Sequence, residues 1–86
     1  MAEKNNTLKI SDLDTETIKR IAAKAKELRK KKGYSYEGFA SHAGINRNTY
    51  FKFEKSAESG DNFTIVTLLK VIRGLDLTLP SFFKDL

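Results

Sequence analysis

From Ile18 onward the apolar residues Ile18, Ile21, Ala22, Ala25 and Leu28 recur at intervals of three and four, while Lys19, Arg20, Lys24, Lys26 and Glu27 fall off that stripe. This spacing predicts an amphipathic helix over about 14–32. Asp14 is a suitable N-cap acceptor, Leu13 and Ile18 stand at the staple positions on either side of it, and Gly33 follows the last turn as a left-handed stop. The same grammar recurs along the chain: Ser35 with Tyr34 and Phe39, Asn46 with Ile45 and Tyr50, Thr64 with Phe63 and Leu68, and Thr78 with Leu77 and Phe82. Helices are therefore expected over about 36–42, 47–54 and 65–74, with a short one after Thr78 that has Pro80 in its first turn. Ile65, Leu68, Leu69, Val71 and Ile72 make the fourth helix largely buried, and the stretch 55–62 reads as a loop. No segment alternates with the period of a strand, so the fold is expected to be all-α. Residues 1–9 carry no periodicity and are expected to be a flexible N-terminal tail, leaving 10–86 as a single domain.

The most informative element is the pair of short helices joined through Gly44 and Ile45, because so tight a glycine turn suits a nearly orthogonal helix-turn-helix. Ala40 is expected where the two helices cross, Gly44 where the turn needs positive φ, and Ile45 as a plug beneath it. If Tyr50 and Phe53 face inward, then Arg47, Asn48, Phe51 and Lys52 face outward near the start of an exposed helix. Arginine, asparagine and lysine can read base edges in the major groove, and a helix N-terminus with free N–H groups suits phosphate. Phe51 has three open readings: a contact to a thymine methyl, an anchor for a protein partner, or a scattered exposed aromatic. His42 is expected at the surface, ending the second helix. It has neither a second ligand nor a paired nucleophile, so no metal site and no catalytic site is expected.

Composition narrows the function classes. The 86 residues are 40% apolar and 31% charged, with no cysteine and one histidine, which excludes a disulfide framework and a thiolate metal site. No apolar run is long enough for a membrane span and no leader pattern precedes the first helix, so a cytoplasmic protein is expected. The net charge is +5, and the segment Arg29 to Lys55 alone carries seven basic residues against two acidic ones. A localised basic patch of this kind suits a polyanionic partner.

The run Leu28-Arg29-Lys30-Lys31-Lys32-Gly33-Tyr34-Ser35, followed by Gly44-Ile45-Asn46-Arg47-Asn48-Thr49-Tyr50-Phe51-Lys52-Phe53-Glu54, resembles the phage-repressor-like helix-turn-helix family of the lambda repressor and Cro type, also known as XRE. The likeness continues through Leu68–Ile72 and Leu75–Leu79 and covers about residues 26–83. It implies a five-helix, lambda-repressor-like domain, here with an extended first helix, that binds double-stranded DNA, usually as a dimer on a palindromic site. Carried onto this chain, the resemblance puts Arg47, Asn48 and Lys52 in base-reading places and Asn46 and Thr49 in backbone-contacting places. It also makes Arg29 and Glu54 a partly buried ion pair. Tyr36 stands where the family usually has a DNA-contacting glutamine, and its phenol can still donate to phosphate.

The expectation is a sequence-specific transcriptional regulator that reads the major groove with helix 47–54, has no enzymatic activity and needs no cofactor. The alternative is an adaptor or antitoxin-like module that turns the Tyr36, Phe51 and Thr49 face to a protein partner. A homodimer is expected at least on DNA, with Leu79, Phe82, Phe83 and Leu86 as its candidate surface.

Overall fold

The computed structural model describes residues 11–86; the expected tail, residues 1–9, lies outside the described residues. Five helices follow in order: α1 (Asp12–Lys31), α2 (Tyr36–Ala43), α3 (Arg47–Ser59), α4 (Ile65–Gly74) and α5 (Leu79–Phe83). Among the described residues there is no strand, and no helix is long and apolar enough to cross a membrane.

Four of the five helix starts fall where local sequence places them. The hydroxyls of Ser35, Thr64 and Thr78 and the amide oxygen of Asn46 each accept a backbone N–H from the first turn that follows. The start of α1 differs. Ser11, not Asp14, is its cap: the Asp14 N–H donates to Ser11 Oγ at 3.1 Å and the Ser11 N–H donates to Asp14 Oδ2 at 3.3 Å. That reciprocal box satisfies two donors at once, which a lone Asp14 cap could not do, and the helix gains a turn. Leu13 consequently sits inside the helix at 79% exposure and staples nothing.

The second departure is the length of α3. The stretch read as a loop after Glu54 is helical to Ser59 and ends at Gly60, whose φ of +74° is the left-handed stop. Nothing between Lys55 and Ser59 breaks a helix, and Ser56 is buried with its hydroxyl donating to the carbonyls of Lys52 and Asp61. The added turn packs against the start of α1. A Cβ on Gly60 would come within 2.4 Å of Thr15 Cγ2, so only a glycine admits this approach.

The core collects Ile21 and Ala25 from α1, Phe39 and Ala40 from α2, Tyr50 and Phe53 from α3, Leu68, Val71 and Ile72 from α4, and Phe82 from α5. Two expectations about apolar faces hold only in part. Leu68, Val71 and Ile72 of α4 are buried as expected and Leu69 is half-buried, but Ile65 is 64% exposed, because the first turn of α4 lies beyond the core and Thr67 takes the inward position. Phe82, a candidate dimer residue, is fully buried within its own chain and Leu86 packs against the same core, whereas Leu79 and Phe83 stay exposed.

Candidate nucleic-acid interface

The turn between α2 and α3 is built as its residues require. Gly44 has φ +73°, the Ile45 N–H donates to the Ala40 carbonyl at 2.9 Å, and Ile45 and Ala40 are both buried under it. Gly74 lets α4 approach the back of this unit closely, since a Cβ there would meet Phe39 Cζ at 2.9 Å and Ala43 Cβ at 3.0 Å. His42, exposed as expected, stacks on Tyr34 at 5.0 Å, and its Nε2 lies 3.1 Å from the Gly74 carbonyl at the end of α4.

With Tyr50 and Phe53 pinned inside, Arg47, Asn48, Phe51 and Lys52 are exposed on α3, as the helical wheel demands. Asn46 and Thr49 are exposed beside them. Asn46 Oδ1 accepts from the Asn48 N–H at 2.8 Å and the Thr49 N–H at 3.4 Å. Two of the N–H groups expected to be free for a phosphate are thus already bonded within the chain, and the Asn46 amide nitrogen is the donor left on that side chain. Arg47 is not bare either: its Nη1 donates to Glu37 Oε2 of α2 at 2.7 Å. Both side chains of this pair are more than half exposed, so the bridge is worth at most about 1 kcal/mol and opens readily for a stronger acceptor.

Behind the exposed face lies a buried polar clamp. Arg29 Nε and Nη2 donate to the two Glu54 carboxylate oxygens at 2.6 and 3.1 Å, and Arg29 Nη1 donates to the Tyr34 carbonyl at 2.6 Å. Tyr50 donates its hydroxyl proton to Glu54 as well. The bond to Glu54 holds the Arg29 guanidinium above its already high pKa, and burial, followed by the bond to Glu54, pushes the Tyr50 phenol far above its usual value. The ion pair that the family resemblance implies is present, and it joins the end of α1 to α3.

Tyr36 is half-buried, and its ring lies 5.9 Å from that of Phe51. Lys55 Nζ sits over the Phe51 ring, 5.9 Å from its centroid. Together with Lys26 and Lys30 from α1, these residues line a groove of about 290 Å³ alongside α3. Glu58, which lines the same groove, pairs with Lys55 at 3.4 Å within the last turns of α3. Sequence reasoning missed Glu37, whose position on α2 places it opposite Arg47, and Lys26, whose only signal was its place off the apolar stripe. Of the basic segment, Arg29, Lys31, Lys32, Arg47 and Lys55 have acidic partners, whereas Lys30 and Lys52 form no ion pair among the described residues.

Two short helices crossing at a glycine turn, buttressed by a third and presenting a polar first turn, define a helix-turn-helix module. A family model described as helix-turn-helix matches residues 26–82, from the later turns of α1 into α5, and the chain belongs to that family, of the lambda-repressor-like, XRE type. No curated protein and no solved structure matches the chain.

Proposed function

We propose that this protein is a sequence-specific, double-stranded DNA-binding transcriptional regulator that lays α3 in the major groove. The observation that carries this reading is the exposed first turn and a half of α3, where Arg47, Asn48 and Lys52 stand on a helix whose opposite face is locked into the core. Arginine and lysine donate to base edges and asparagine both donates and accepts there, while Lys30, with Thr49, Asn46 and Tyr36, contacts the backbone of the same duplex. The protein acts by binding alone, without catalysis or cofactor, and a cytoplasmic place of action follows from that role.

A single helix of this length reads too few base pairs to find one site in a genome, so two copies bind an inverted repeat with half-sites about 34 Å apart. Leu79, 45% exposed, and Phe83, 37% exposed, supply the apolar surface available for that pairing.

In-vitro selection from random duplexes, followed by anisotropy titrations at two salt concentrations, tests the reading. An enriched inverted repeat bound far more tightly than random sequence is expected. Absence of enrichment, with binding that is weak and equal on all sequences, overturns it and leaves the Tyr36, Thr49 and Phe51 face for a protein partner.

A further inference from the structure

Phe51 follows Arg47 by one helical turn, so the two side chains stand on the same stripe of α3. Its ring is 47% exposed. Two neighbours nevertheless pack on it, Tyr36 with its ring 5.9 Å away in a tilted arrangement and Lys55 with Nζ 5.9 Å from the centroid. Lys55 is in turn tethered to Glu58 at 3.4 Å. An apolar head is therefore held in place between hydrogen-bonding residues, Arg47 and Lys52, and is only half shielded from water.

Among base edges in the major groove, the apolar group on offer is the 5-methyl of thymine. We propose that Phe51, propped by Tyr36, reads a 5-methyl group at the base pair neighbouring the one addressed by Arg47, and so makes thymine the preferred letter at that place in each half-site. This rests on α3 being the groove-facing helix. The surroundings favour a nucleic-acid occupant over an apolar protein surface: the same groove is lined by Arg29 and Glu54, which pair with each other, by Lys55 and Glu58, which do the same, and by Lys26 and Lys30, which form no ion pair among the described residues, so an apolar partner would have to strip water from charged groups whose balance is positive. A duplex instead brings phosphates to those lysines while presenting the methyl to the ring.

The test changes the DNA and not the protein. Each thymine of the selected duplex is replaced in turn by uracil, which deletes one methyl and leaves every hydrogen-bonding edge intact. Burial of a single methyl group corresponds to a factor of about four in affinity. One thymine per half-site is expected to show that loss with the unaltered protein. Phe51→Ala is expected to bind the thymine and uracil duplexes within about twofold of each other, and Phe51→Leu to keep part of the discrimination. A 5-methylcytosine in place of cytosine at the same position, in a T·A to C·G variant, is expected to recover part of the lost affinity. Uracil substitution without effect at every position, a selected site lacking thymine in the half-site, or thymine discrimination retained by Phe51→Ala each overturns the assignment. These outcomes leave the major-groove reading intact, whereas failure to select any duplex overturns both. Thermal unfolding of each variant verifies that the helices are unchanged.

Discussion

Arg29 and Glu54, one at the end of α1 and the other in the middle of α3, meet in a two-pronged ion pair with side chains only 8% and 11% exposed. Because Arg29 also holds the Tyr34 carbonyl, the clamp joins α1, the turn before α2 and α3. Glu54→Ala leaves the guanidinium buried without its counter-charge, and is expected to destabilise the fold by about 3 kcal/mol. Replacing both residues by apolar ones of similar volume should recover part of that loss. Urea denaturation measures both, and an unchanged midpoint for Glu54→Ala would refute a stabilising role for the pair.

Tyr50 makes the clamp sensitive to alkali. Burial and the bond to Glu54 raise the phenol in the folded state above its unfolded value, so the folded state keeps a proton that the unfolded state loses. The stabilisation is fully present below the ordinary tyrosine pKa of about 10, and is lost as pH rises beyond it. Urea midpoints between pH 8 and 11 are expected to fall more steeply for the unaltered protein than for Tyr50→Phe. Parallel curves would show that Tyr50 does not contribute.

Under the proposed function, Glu37 competes with the duplex for Arg47, to which it is paired at 2.7 Å. Glu37→Gln releases the guanidinium and removes a negative charge from the binding face, so affinity for random duplex is expected to rise several-fold at low salt. The ratio of specific to random binding should fall, since the gain is independent of sequence. Anisotropy on the two duplexes measures this, and equal affinities for variant and unaltered protein would place Glu37 away from the interface.

Under the proposed function, Asn48 and Lys30 separate base reading from backbone attraction. Asn48→Ala is expected to cost about 1–3 kcal/mol on the selected site and to relax the preference at one base pair. Lys30→Ala should weaken every duplex alike and reduce the slope of log affinity against log salt by about one. Identical behaviour of the two variants would contradict this division.

Gly60 is held by two constraints at once, its φ of +74° and its contact with Thr15. Gly60→Ala is expected to cost about 2–3 kcal/mol, the sum of a left-handed backbone and an overpacked contact. Thr15→Ser removes the offending methyl and should recover the second part only. If the two substitutions are simply additive in thermal melts, the α1–α3 approach at this point is looser than described.

How much of this was legible in the sequence follows the range of the interactions. Ser35, Asn46, Thr64 and Thr78 cap their helices as predicted because a capping bond spans two or three residues and needs no partner from elsewhere. The turn at Gly44, the inward pair Tyr50 and Phe53 and the outward set on α3 follow from helical periodicity for the same reason. Ser11 was also within local reach, but a single favourable acceptor at Asp14 concealed the reciprocal box it completes. Tertiary packing decided the rest. The last turn of α3 is helical against Thr15, forty-odd residues away in the chain, and its mixed polar sequence carries no stripe to announce that contact. Phe82 and Phe83 are equally apolar, and only the direction in which α5 meets the core buries the first and exposes the second. Arg47 reads as a bare cation until the crossing of α2 and α3 sets Glu37 within 2.7 Å of it. Pairings of this kind depend on how helices cross, and a crossing angle is set by the whole core, not by the residues it brings together.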